Sequence, residues 1–107
     1  MLKLQRRHKA IKMQLEIITP EAEIFVGEAD AVQFPGFDGS FQVLNNHAPV
    51  IAALAKGDVK VDLTNAFDAE NANDKIAVDG SNSKVIRIAI KGGVIEMQNN
   101  KVIVLAE

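Results

Sequence analysis

The chain has no cysteine, no tryptophan and no tyrosine, and five phenylalanines are its only aromatic residues. Without cysteine it can form no disulfide, no thiolate metal site and no thiol nucleophile. Without tryptophan or tyrosine it has little with which to stack on bases or sugars. No apolar run reaches the roughly 18–20 residues of a helical membrane span. Helical patterning is missing too, since no ten-residue stretch places its apolar residues at a 3.6 period. What remains is ordinary globular material: 107 residues, 48% hydrophobic and 24% charged, enough for one domain with a core of its own.

Charge is scarce in one sense and concentrated in another. Residues 1–12, MLKLQRRHKAIK, hold Lys3, Arg6, Arg7, Lys9 and Lys12 and no acid. The rest of the chain carries seven cations against all fourteen acids, a poor balance for binding nucleic acid, whose affinity comes mainly from neutralised phosphates. The basic dozen lacks the 7–15-residue apolar stretch of a secretory signal. It is expected to be a disordered extension, ahead of a folded domain that begins at Met13.

From Met13 onward the dominant period is two. Met13, Leu15 and Ile17 share one face, and Val59, Val61 and Leu63 alternate with Asp58, Lys60 and Asp62. The same pattern recurs over residues 30–34, 40–43, 75–78, 86–90 and 101–105, each a short half-buried strand. Residues 22–26 and 50–55 are continuous apolar runs and read as strands buried on both sides, and VIEM after Gly92-Gly93 gives one more. Turn-formers punctuate the runs: Thr19-Pro20, Gly27, Lys56-Gly57-Asp58, Asp79-Gly80, Asn99-Asn100, and Asp38-Gly39, which reads as a tight hairpin. Roughly ten short strands at this spacing predict an all-β fold, an antiparallel β-sandwich or flattened barrel. One long loop or hairpin insertion, residues 64–83, interrupts the pattern with acidic, Asn-rich sequence. It is expected to be mobile at its tip and dispensable for folding, with Ile76 and Val78 in a strand beside residues 85–90.

Catalytic signals are absent. His47, in NNHAP, is the one histidine of the folded part and has no Ser or Cys nucleophile and no second ligand near it in sequence. Asp68, Glu70, Asn71, Asn73 and Asp74 resemble a calcium loop faintly but lack its sixth-position Gly and twelfth-position Glu. Gly36 and Gly39 form no phosphate-binding pattern, because no helix follows them. The residues therefore predict no catalytic site, no metal and no cofactor, and a domain that acts through its surfaces.

Three ordered motifs then narrow the reading. GFDGSFQVLNNHAPVIAALAKGDVKV (36–61) resembles the central signature of the epsilon subunit of F-type ATP synthase, the delta subunit of mitochondria. MQLEIITPEAEIFVGEADAVQFPG (13–36) is similar to that family's opening, and GGVIEMQNNKVIVLAE (92–107) to its closing Gly-Gly stretch. Together they span residues 13–63 and 84–107, about 75 residues. The resemblance implies a ten-stranded β-sandwich that binds the gamma subunit and the c-ring and couples proton-driven rotation to ATP synthesis. Such a subunit is non-catalytic and peripheral, at the cytoplasmic face of a bacterial inner membrane. It places ring contacts at Phe37, Asp38, Gly39 and Ser40, with Phe41 packed inward, and gamma contacts at Asn46, His47, Ala48, Pro49 and Ile51.

The sequence departs from the family in its basic head, in the length of residues 64–83 and in Lys91, where a small residue often precedes Gly-Gly. It also stops at Glu107, ahead of the helical hairpin usual in the family, so the resemblance implies coupling without a latch or an ATP sensor. Two other readings make different demands. A sandwich module for another protein or a carbohydrate calls for an aromatic platform, and a small hydrolase calls for a nucleophile converging on His47.

Overall fold

The computed structural model describes residues 12–107, so all but Lys12 of the extension expected at residues 1–12 lies outside the described residues. Nine strands follow one another: β1 Met13–Ile18, β2 Glu23–Phe34, β3 Phe41–Leu44, β4 Val50–Leu54, β5 Gly57–Leu63, β6 Ile76–Val78, β7 Val85–Ile90, β8 Gly93–Gln98 and β9 Lys101–Ala106. They hydrogen-bond in the order β4-β8-β9-β1-β2-β5-β7-β6, with β3 on β2. The sheet does not close on itself. Its inward faces share one core, built around Phe34, Leu15, Ile17, Val32, Val59, Val61, Ile86, Ile95 and Val104. Each such side chain contributes about 1.5–3 kcal/mol of burial. The all-β sandwich expected from the period-two pattern is present.

Three details differ from expectation. Gly27 does not separate two strands; it stays paired with Leu15 inside the twelve-residue β2, which reduces the count to nine. The glycine is there for packing, since a Cβ at this position would come within 2.7 Å of the Phe25 ring. β2 serves both halves of the fold, pairing with β1 over residues 23–29 and with β5 from Ala29 onward, and its register shifts between Ala29 and Ala31. The sheet is also not wholly antiparallel: β1 and β9 run parallel, from Gln14 opposite Lys101 to Ile18 opposite Leu105.

The third difference concerns the two apolar runs. Neither is buried on both sides. Val26 is half-exposed and Ile51 is 75% exposed. β4 ends the sheet order, its free edge met only by residues 35–37 through the Gly36–Leu54 bridge and the Ala55 N–H to Pro35 carbonyl bond. The run 64–75 leaves β5, makes a single 3-10 turn at Ala69–Asn71 capped by the Asp68 carboxylate, and returns as β6. β6 pairs Ile76 with Ile88 and Val78 with Ile86, the strand expected beside residues 85–90. Phe67 leaves the polar loop and packs against the core, while its N–H donates to the Ser83 carbonyl at 2.8 Å.

Candidate interaction surfaces

No polar or charged side chain is buried among the described residues, and no cluster of three or more His, Cys, Asp or Glu gathers there. None of their helices is long and apolar enough to cross a membrane. The features that invite contact are on the outside of β4, β8, β9 and β1. Register fixes which side chains meet there. Ala53, Val94, Leu105 and Ile18 form one row across the four strands, and Ile51, Glu96, Ile103 and Glu16 form the next, continued by Val26 on β2. Both rows lie on the outward face, because the rows between them carry the buried Ile95, Val104 and Ile17. Ile51, Val94 and Leu105 are 75%, 46% and 56% exposed. An apolar band of this kind, edged by carboxylates, is the usual mark of a protein contact.

Ile51 is the one sequence-predicted gamma contact in this band. The motifs assign no contact to Ile18, Val94, Ile103 or Leu105. Their signal was present: in LEII, VIEM and VIVLA the positions opposite the core residues are themselves partly apolar, which alternation with a solvated face does not require.

Asn46, His47, Ala48 and Pro49 are all exposed on the loop entering β4. Two asparagines fasten this loop to the β8–β9 turn. The Asn46 N–H donates to Asn100 Oδ1 at 2.7 Å, and Asn100 Nδ2 donates to Asn45 Oδ1 at 2.7 Å. Asn99 and Asn100 both have positive φ, the geometry of a two-residue hairpin turn joining Gln98 to Lys101. His47 lies 2.7 Å from the Ala48 carbonyl through Nδ1, and its N–H donates to the Leu44 carbonyl. Among the described residues its ring forms no hydrogen bond or ion pair with a nucleophile or an acid.

The four predicted ring contacts occupy a turn at the other end of β4. Gly39 N–H donates to the Gly36 carbonyl at 3.1 Å, so Phe37 and Asp38 are the central residues. Only Gly39 has positive φ (+116), and the turn is therefore not the two-residue Asp-Gly hairpin expected. Gly36 is held closely, since a Cβ there would meet the Gly39 carbonyl at 2.5 Å and the Phe41 ring at 2.8 Å. Phe41 packs inward as expected, its ring 5.5 Å from that of Phe34. Phe37, Asp38, Gly39 and Ser40 are exposed. The Phe37 N–H donates to Ala53, and Phe37 and Ile51 line one shallow depression of about 340 Å³. The two sets of contacts thus meet along β4.

Charge on the band is not uniform. The Glu23 carboxyl is held above its ordinary range, first by a hydrogen bond to Glu16, then by partial loss of water, then by the like charge of Glu16.

A family model for the ATP synthase Delta/Epsilon chain, beta-sandwich domain, matches residues 12–107. The chain belongs to that family. It is 38% identical over 99 residues to the ATP synthase epsilon chain of Salinibacter ruber, covering 92% of this chain and 60% of that one. It is 35% identical to the epsilon chain of Chlorobium limicola, covering 92% and 91%. The chain thus spans less than two thirds of the first relative's length and nearly all of the second. Among solved structures, the central stalk and c-ring assembly of Tetrahymena thermophila mitochondrial ATP synthase contains a chain of the same fold. That match has a TM-score of 0.65 at 17% identity and covers 92% of this chain and 65% of that one. A chain in the Euglena gracilis mitochondrial ATP synthase matches with a TM-score of 0.68 at 16% identity, covering 89% and 50%. With family membership in hand, the outward band and the 36–41 turn become candidate docking surfaces of an epsilon-type sandwich.

Proposed function

We infer that this sandwich serves as a non-catalytic rotor part of an F-type ATP synthase, holding the gamma subunit and the c-ring together so that proton-driven rotation reaches the catalytic head. It acts peripherally, at the cytoplasmic face of a bacterial membrane. The observation that carries the reading is the exposed apolar band on β4, β8, β9 and β1, continuous with the loop that holds His47. Gamma docks on Ile51, Val94 and Leu105, with Asn46, His47, Ala48 and Pro49 at the margin. The ring docks on Phe37, Asp38, Gly39 and Ser40. A packed two-layer sheet suits the task, because interiors at crystal-like density transmit force with little compliance.

The test is a pull-down of purified gamma subunit and of c-ring by the full chain. Ile51→Asp with Leu105→Asp should abolish gamma capture, and Asp38→Lys should weaken ring capture alone. All three positions are exposed, so each variant should keep its midpoint within a few degrees. Wild-type chain that captures neither partner would overturn the reading.

A further inference from the structure

The tripeptide Asp-Gly-Ser occurs twice in the chain, at residues 38–40 and 79–81. Unfolded, the two copies share one local chemistry, so a difference in their reactivity belongs to the fold. Glycine after aspartate invites a particular reaction, because a residue without Cβ lets its backbone nitrogen reach the preceding carboxyl. The fold treats the copies oppositely. At the second, both carboxylate oxygens of Asp79 are engaged. Ser81 Oγ and the Ser81 N–H donate to Oδ2 at 2.7 and 3.0 Å, and Arg87 Nη1 donates to Oδ1 at 3.0 Å. Bonds to an ionised group are the stronger kind, and these must break before the carboxyl carbon can turn toward the Gly80 nitrogen. They also hold the carboxyl well below its ordinary range, away from the protonated form that can lose water. At the first copy, Asp38 is exposed and its carboxylate makes no hydrogen bond or ion pair among the described residues. Ser40 does not reach back as Ser81 does. The Gly39 N–H has one bond, 3.1 Å to the Gly36 carbonyl, in an exposed turn that can open locally. Space does not separate the copies, since nothing lies within 4 Å of a Cβ built on either glycine.

We propose that Asp38-Gly39 is a site of spontaneous isoaspartate formation, and that the fold protects its twin, Asp79-Gly80, from the same change. The Gly39 nitrogen attacks the Asp38 carboxyl carbon. A C–N bond forms, the carboxyl hydroxyl leaves with the amide proton as water, and a cyclic succinimide results. Water then reopens the ring. Addition at the former side-chain carbonyl restores aspartate, whereas addition at the α-carbonyl leaves the chain running through Cγ. The net change is an isomerisation that neither gains nor loses atoms and oxidises nothing. It lengthens the main chain by one methylene inside a turn whose Gly36 is already closely held by Gly39 and Phe41. The same turn is the proposed ring contact, so modified copies would present a different surface there. The chemistry itself does not depend on that reading.

Ageing the full chain tests this. Samples are kept folded at neutral pH and body temperature for weeks, then unfolded and digested with an endoproteinase that cuts before aspartate but not before isoaspartate. Cleavage before Asp38 should be lost at least about tenfold faster than cleavage before Asp79, given the bonds that must open at the second site. Cleavage before Asp58 and Asp62, which precede valine and leucine, should persist as the internal standard. In concentrated guanidinium chloride the two Asp-Gly sites should lose cleavage at matching rates. Ser81→Ala with Arg87→Gln should speed the loss before Asp79 several-fold in a chain that still unfolds cooperatively in urea, and Ser81→Ala alone serves where the pair does not fold. Matching rates at the two sites in the folded chain would overturn the proposal. So would an Asp38 that stays cleavable while the unfolded chain is modified, or an Asp79 that stays resistant in the folded variants.

Discussion

Gly93 and Gly39 show how differently two glycines with positive φ constrain a chain. At Gly93 a Cβ would lie 2.3 Å from the Leu105 carbonyl oxygen and 3.0 Å from the Ala106 Cα, both backbone atoms of β9. β9 cannot yield without losing its ladder to β1. At Gly39 nothing lies within 4 Å of the added atom, and only the conformation resists. Gly93→Ala should therefore cost at least about 3 kcal/mol and Gly39→Ala about 1 kcal/mol, read as urea midpoints. A second residue-scale consequence concerns acid. The Asp79 carboxylate accepts from Ser81 Oγ at 2.7 Å, from Arg87 Nη1 at 3.0 Å and from the Ser81 N–H at 3.0 Å. These bonds hold its pKa at about 2. A carboxyl whose folded pKa lies below its unfolded value stabilises fully above the usual value of about 3.9 and loses that contribution as pH falls through the folded one. Asp79→Asn should lower stability at neutral pH and flatten the acid limb between about pH 4 and pH 2. Urea midpoints across that range would check it.

At the scale of the element, the 64–75 loop is more than solvated chain. Its acids and asparagines bury little, as composition implies, but Phe67 packs on the core and Asn73 clasps β2. Phe67→Ala should cost about 1–2 kcal/mol for its partial burial, whereas Glu70→Ala, fully at the surface, should stay within about 0.5 kcal/mol. Equal effects would show that the loop contributes through its backbone alone. The strands themselves were legible because one face is buried and one wet: Val59, Val61 and Leu63 announce β5 without ambiguity. Legibility failed where a single residue type serves two purposes. Gly27 reads as a break, yet it spares the Phe25 ring, and that contact is invisible before the strand is folded. Asp38-Gly39 reads as a two-residue hairpin, yet the Gly36 carbonyl closes a turn one residue earlier. The candidate surface was half legible. Ile51 and the His47 loop stood out by motif, but Val94 and Leu105 become neighbours only through the β8–β9 register.

On the scale of the whole molecule, the β9–β1 ladder joins the two parts of the sheet, with a single bridge from Gly36 to Leu54 beside it. β4 bonds to β8, β8 to β9, and β9 alone connects them through β1 to everything else in the main ladder. β1 is the first strand made and β9 the last. Contacts between such distant segments are the slow step of β folding, since the loop between them must close before they form. During synthesis, β1, β2, β3, β5, β6 and β7 can find strand partners, while β4 has only its contact with residues 35–37 until β8 is made. The outward row of Ala53, Val94, Leu105 and Ile18 therefore comes into existence only once β9 has paired with β8 and β1. A copy cut short before β9 presents no such row, so an intact outward face reports that the sandwich has been made through Ala106.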